Sequence, residues 1–104
     1  KITLRRSQVE KAMANVTELM GQAKIRPHFE NGRPDGLALS SVKPRSIFRR
    51  MGLRNGDIIT GVDGTPIQTV DDALKFYDNL TSASDVTLQL KRRGREKMIE
   101  YTIK

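Results

Sequence analysis

The chemistry open to this chain is bounded by one histidine, His28, six serines, and two adjacent acids, Asp71 and Asp72. Nucleophilic catalysis needs a base beside its nucleophile. None of the serines stands in a Gly-x-Ser-x-Gly turn. His28 falls on the predicted solvent side of a short strand, where a surface role suits it better than that of a base. A metal site needs clustered His and acidic side chains, and none lies at ligand spacing from His28. Cysteine is absent, so thiolate ligands, a thiol nucleophile and disulfides are excluded together. Asp71 and Asp72 are neighbours on a predicted helix and point about 100° apart; acids in a first turn serve the helix end. No Gly-x-Gly-x-x-Gly or phosphate loop occurs, and Gly61-Val62-Asp63-Gly64 is better explained as a hairpin. No catalytic residue, metal or cofactor is expected. The function expected is binding.

The 104 residues suffice for one domain with one core. Nineteen Lys and Arg against 12 Asp and Glu leave a net charge of +7, which raises nucleic acid, anionic lipid or an acidic protein as partners. Aromatics are only 5% and Trp is absent, so bases would find few stacking platforms. The cations are also dispersed, at Arg5 and Arg6, at Arg49 and Arg50, and at Lys91, Arg92, Arg93 and Arg95. Nucleic acid is therefore not expected as partner. These basic groups read as solvated surface. No apolar run approaches the roughly 18 residues of a membrane helix. With Lys1 where a start methionine would stand, the chain is expected to be a piece of a longer protein.

Hydrophobic spacing supplies the elements. Ser7-Gln8-Val9-Glu10 reads as a capping box, and Val9, Met13, Val16 and Met20 recur at helical spacing up to Gly21. A helix is expected from about Arg6 to Met20. Ile25 and Phe29 alternate with Arg26 and His28 as a half-buried strand, and the turn formers Asn31 to Gly36 reverse the chain into a strand Leu37–Val42. Ser46 caps one helical turn that Gly52 ends. A β-branched strand, Ile58 to Val62, lies between the turn dipeptides Asn55-Gly56 and Asp63-Gly64. Thr69 and Asp72 cap a second helix running to about Leu80. Val86, Leu88 and Leu90, then Ile99, Tyr101 and Ile103, form a hairpin about Arg92-Arg93-Gly94-Arg95. Two helices, a helical turn and five or six short strands make an α+β domain.

The run Gly52-Leu53-Arg54-Asn55-Gly56-Asp57-Ile58-Ile59, then Val62-Asp63-Gly64-Thr65-Pro66-Ile67, a capped helix and a terminal hairpin, resembles a bacterial PDZ domain. The resemblance implies a partly open antiparallel β-sandwich or barrel of the permuted bacterial type, over residues 22–104, with residues 1–21 as an N-terminal helical extension. A narrower resemblance covers nearly the whole chain. Gln22 to Gly32, Gly36-Leu37, Ser46-Ile47-Phe48 before Gly52-Leu53, and Leu74 with Tyr77 are similar to the type II secretion system inner-membrane protein C family. That family implies a periplasmic domain of an inner-membrane protein, protein partners among secreted substrates, secretin or other secretion components, and membrane attachment only through other parts of the chain. The alternative is the PDZ module of a periplasmic or membrane protease.

PDZ domains add an extended peptide to a sheet edge beside a helix. The resemblance places that groove at Ile25, Arg26, Pro27, His28 and Phe29 on the strand and at Val70, Leu74 and Tyr77 on the helix. The apolar arc of 70–80 spans about 160°, wider than the roughly 100° needed to sit on a core. Phe76, Leu80 and Ala73 form one flank and Tyr77, Val70 and Leu74 the other; simple core packing of all six remains the alternative. Arg26 and His28 are the candidates for steering an acidic partner. Pro27 is expected to point at the groove, where an amide is missing.

Overall fold

Three pairs of residues with positive φ turn this chain back on itself: Asn31 and Gly32 (53° and 78°), Asp63 and Gly64 (50° and 83°), and Arg93 and Gly94 (55° and 78°). Two successive left-handed residues make the tight turn whose twist matches paired strands. The computed structural model describes the backbone of all residues except Lys1, Asn15, Val16, Glu18, Leu19, Met20, Thr81 and Ala83. The side chains of Ala12, Met13, Leu74 and residues 77–80 are also outside the described set.

The elements are β1 (Ile2–Leu4), α1 (Arg6–Met13), β2 (Lys24–Glu30), β3 (Arg33–Ser40), α2 (Ile47–Arg50), β4 (Ile58–Val62), β5 (Thr65–Pro66), α3 (Val70–Leu80), β6 (Asp85–Arg92) and β7 (Arg95–Ile103). They form one open sheet in the order β1-β7-β6-β4-β3-β2, with β5 on β4. All pairs are antiparallel except β1 with β7. The buried alternations are the expected ones, Leu37 and Leu39 on β3, Val86, Leu88 and Leu90 on β6, and Tyr101 and Ile103 on β7.

The N-terminus departs from expectation. Residues 2–4 form a strand that no sequence signal announced, in parallel register with Tyr101–Ile103. The helix then starts at Arg6 with Arg5 as its N-cap, and no side chain caps it. Ser7 therefore sits inside the first turn, two positions past the N-cap and too late for a capping box. A tertiary bond does part of that work: the Arg6 amide donates to the Lys104 carbonyl at 2.7 Å. Leu4 and Val9 enter the core. Val16 and Met20, expected on the same stripe, lie outside the described residues.

The reversal after β2 is also tighter than expected. Only Asn31 and Gly32 form the turn, and Pro34, Asp35 and Gly36 belong to β3. Asp35 is absorbed as a bulge between the pairs His28–Gly36 and Phe29–Pro34. Gly36 is there for close approach, since a Cβ would overlap the Ile59 carbonyl oxygen on β4.

Candidate functional site

The sheet ends on β2, and the hydrogen bonds of β3 decide what β2 offers. Leu39 donates its amide to the Asp57 carbonyl at 2.9 Å and accepts the Gly56 amide at 2.8 Å, both away from β2. Main-chain groups alternate sides along a strand. Ile25, opposite Leu39, and Pro27, opposite Leu37, therefore turn their main-chain groups to the open edge. Phe29 follows in the same phase. The edge offers donors at Ile25 and Phe29 with a gap at Pro27 between them. Ile25 is half-buried against the core, Arg26 and Pro27 are exposed, and Phe29 stands 59% exposed.

His28 is more engaged than its expected solvent position implied. It is half-buried, and its Nδ1 lies 2.6 Å from Asp35 Oδ1. An ionised carboxylate only accepts, so Nδ1–H donates and Nε2 is the ring nitrogen left for a partner. Asp35 compensates any charge on this ring, so of the two steering candidates Arg26 is the one left uncompensated. Sequence reasoning missed Asp35, although a two-residue Asn-Gly turn sets residue 28 opposite residue 35 by simple counting. The hydrogen bond from His28 holds the Asp35 carboxyl below its ordinary value of 3.8. A lowered carboxyl stabilises the fold above the unfolded pKa and loses that contribution as pH falls through the folded one. The Asp35 carboxyl carbon is expected to titrate with a midpoint below 3.8 by NMR and to move upward in His28→Ala; a midpoint at or above 3.8 in the unmodified chain would overturn the assignment.

The helical wall has the bounds expected, Val70–Leu80. Its capping box is reciprocal: Asp72 N donates to Thr69 Oγ1 at 3.2 Å, and Asp72 Oδ2 accepts from the amides of Gln68 (3.0 Å) and Thr69 (3.3 Å). The Gln68 amide is the chief reason that the Asp72 carboxyl is held low. Val70, Ala73 and Phe76 pack against the core and are half-buried. Phe76 also lines an open pocket of about 250 Å³ with Val62, Thr65, Pro66, Ile67 and Val86. The side chains of Leu74, Tyr77 and Leu80 lie outside the described residues. Among the described residues, no hydrogen bond or ion pair joins β2 to α3.

A family model described as "PDZ domain" matches residues 39–92. This chain is a PDZ domain. The domain is 22% identical over 99 residues to type II secretion system protein C of Klebsiella pneumoniae, covering 95% of this chain and 35% of that protein. It is 31% identical over 58 residues to periplasmic serine endoprotease DegP of Salmonella typhimurium, 56% of this chain and 12% of that one. The chain thus spans about a third or less of the curated relatives' length. In fold it is similar to the PDZ domain of EpsC from Vibrio cholerae, with a TM-score of 0.62 and 16% identity over 92% of this chain and 91% of that one. The open sheet with short helices is the PDZ arrangement expected.

A second polar pair of the PDZ domain joins the 52–57 turn to β6. Arg92, expected at a solvated hairpin tip, is 17% exposed and reaches Asp57, which is 1% exposed. Nε meets Oδ1 at 2.8 Å and Nη2 meets Oδ2 at 2.7 Å. Nη2 also donates to the Gly52 carbonyl, and Asp57 Oδ2 accepts the Arg54 amide. The tip itself is Arg93-Gly94, so Arg92 still belongs to the strand. This clamp holds the 52–57 turn against β6, and Leu39 of β3 bonds to the same turn.

Proposed function

We propose that this PDZ domain is the non-catalytic protein-interaction module of a type II secretion system inner-membrane component. In this reading it works in the periplasm and contributes to recognition of secreted substrates or partner components. The carrying observation is likeness to the secretion protein over 95% of this chain, N-terminal segment included. The recognition surface is the β2 edge (Ile25, Arg26, Pro27, His28 and Phe29) with Val70, Leu74 and Tyr77 of α3. An apolar Val70 at the first groove position suits an apolar side chain of the partner. Crosslinking from Phe29 in cells, followed by identification of the adduct, tests the reading. Adducts with secretion components or secreted proteins support it, and their absence would reject it. The 58-residue likeness to a periplasmic protease favours the second reading, a protease-linked PDZ module. The parent chain separates the two, by one N-terminal membrane helix in the first and a serine protease domain in the second.

Pro27 limits how the edge is used. A strand laid along β2 loses one donor midway, which costs roughly 0.5–1.5 kcal/mol, or about two- to thirteenfold in affinity. Generic C-terminal peptides are accordingly expected to bind weakly or not at all, with the physiological partner held through side chains or a folded surface. Fluorescence anisotropy with a library of free C-terminal peptides checks this. A low-micromolar binder dependent on its terminal carboxylate would overturn it. On the helix, Leu74→Asp is expected to weaken partner capture with little loss of stability. Phe76→Ala is expected to lower stability, by less than the about 3–5 kcal/mol of a fully buried ring because this one is half-buried. The reverse order in paired binding and urea-unfolding measurements would reject this division of the helix.

A further inference from the structure

Charge is not spread evenly over this domain. Residues 37–56 contain Lys43, Arg45, Arg49, Arg50 and Arg54 and no acid at all; without this stretch the net charge falls from +7 to +2. By sequence Arg49 and Arg50 read as solvated surface, one dispersed pair among several. The fold gathers them into one lobe. Ser46 caps α2 and bonds back to the Lys43 carbonyl, Leu53 N donates to the Phe48 carbonyl, and Gly52 N to that of Arg49. The five cations ride on this closed stretch, and all are exposed. Among the described residues none of them is in an ion pair; Arg49 has only a long bond to the Val42 carbonyl at 3.4 Å. The one acid that borders the stretch, Asp57, is buried and committed to Arg92.

Other cation-bearing surfaces include acids. On β2, His28 faces Asp35, and Glu30 lies 3.6 Å from Lys91. The β6–β7 tip intersperses Glu96 among Arg93, Arg95 and Lys97.

We infer that the lobe around α2 is a second docking surface, built for an acidic polypeptide segment and separate from the β2–α3 groove. Four of its five cations are arginines, whose planar fork matches a carboxylate in a two-point hydrogen bond. Among the described residues the exposed large apolar side chains are Phe29 on β2 and Met98 on β7, the latter lining an open pocket with Gly52, while Phe48 and Met51 within the lobe pack on the core. No residue of the lobe itself exposes a large apolar side chain to enter a bilayer or a ring to stack on unpaired bases. Carboxylates on a protein chain fit it best.

The test uses the full chain with a fluorescein-labelled oligoglutamate peptide, read by anisotropy at low and physiological ionic strength. Reversing the lobe (Arg45→Glu, Arg49→Glu, Arg50→Glu and Arg54→Glu together) is expected to weaken binding at least about tenfold. The same charge change at the tip (Lys91→Glu, Arg93→Glu, Arg95→Glu and Lys97→Glu) is expected to leave most of it. Circular dichroism checks both folds, and the corresponding Arg→Gln set replaces the lobe variant if that one unfolds. Equal weakening by lobe and tip would overturn the site, as would no binding at low salt. Tighter binding to phosphatidylglycerol vesicles or duplex DNA than to oligoglutamate would overturn the occupant. Leu74→Asp is expected to leave oligoglutamate binding unchanged, so failure here and failure of the groove reading are distinguishable.

Discussion

Asp57→Ala is expected to destabilise the domain by about 3–5 kcal/mol, because it strands the guanidinium of Arg92 in a largely buried position. The lost carboxylate also leaves the Arg54 amide without its acceptor. A guanidinium stays protonated in proteins, so the cation cannot relieve the strain by losing its proton. Removing both charges is a different experiment. Isosteric apolar replacement of a buried pair is often close to neutral, so Asp57→Ala combined with Arg92→Met is expected to recover part of the loss. Urea unfolding of the two variants checks this. A single variant costing less than about 1 kcal/mol, or a double variant worse than the single, would show that the pair is not the clamp described. The consequence for binding is indirect. The 52–57 turn holds Leu39, and Leu39 sets the phase in which β2 presents its edge.

The second large effect concerns the N-terminal segment. We propose the division into residues 1–21 and a PDZ domain of residues 22–104. A fragment starting at Gln22 is expected to keep a cooperative fold at a clear cost. Leu4 and Val9 are 4% and 1% exposed, and each buried side chain of this kind contributes about 1.5–3 kcal/mol. Their joint loss, about 3–6 kcal/mol as an upper bound, is a large part of the 5–15 kcal/mol typical of a domain. The fragment also uncovers the edge of β7 from Tyr101 to Ile103. Circular dichroism and urea unfolding are the measurements. A folded fragment with a lowered midpoint supports the division. A fragment unfolded at room temperature would make the N-terminal segment an inseparable part of the core.

These edges were read from sequence with unequal success, and the reason is physical. Hairpin turns, β6 and β7 alternation, the Ser46 cap and the Thr69–Asp72 box depend on residues within a few positions of each other. Their energetics are local, so residue types and spacing sufficed for α2, α3 and β4. Pro27 on the open edge followed from proline's missing amide alone, and the phase of Leu39 agrees with it. The elements that went astray depend on distant partners. Ile2–Leu4 has no period of its own to display and becomes a strand only because β7 offers it an edge about a hundred residues away. Ser7 resembled a cap, but Arg5 holds the N-cap position and the Arg6 amide goes to the distant Lys104 carbonyl. Gly36 resembled a turn residue, and only the approach of Ile59 shows why a side chain is excluded. Arg92 and Asp57 carry no local signal of each other, being separated by 35 residues. By itself the sequence determined an α+β binding domain of PDZ type with an edge interrupted at Pro27. The tertiary structure alone decided which charges are buried in pairs and which are left exposed without an ion pair around α2, because pairing across a sheet depends on long-range register, which no short window of sequence contains.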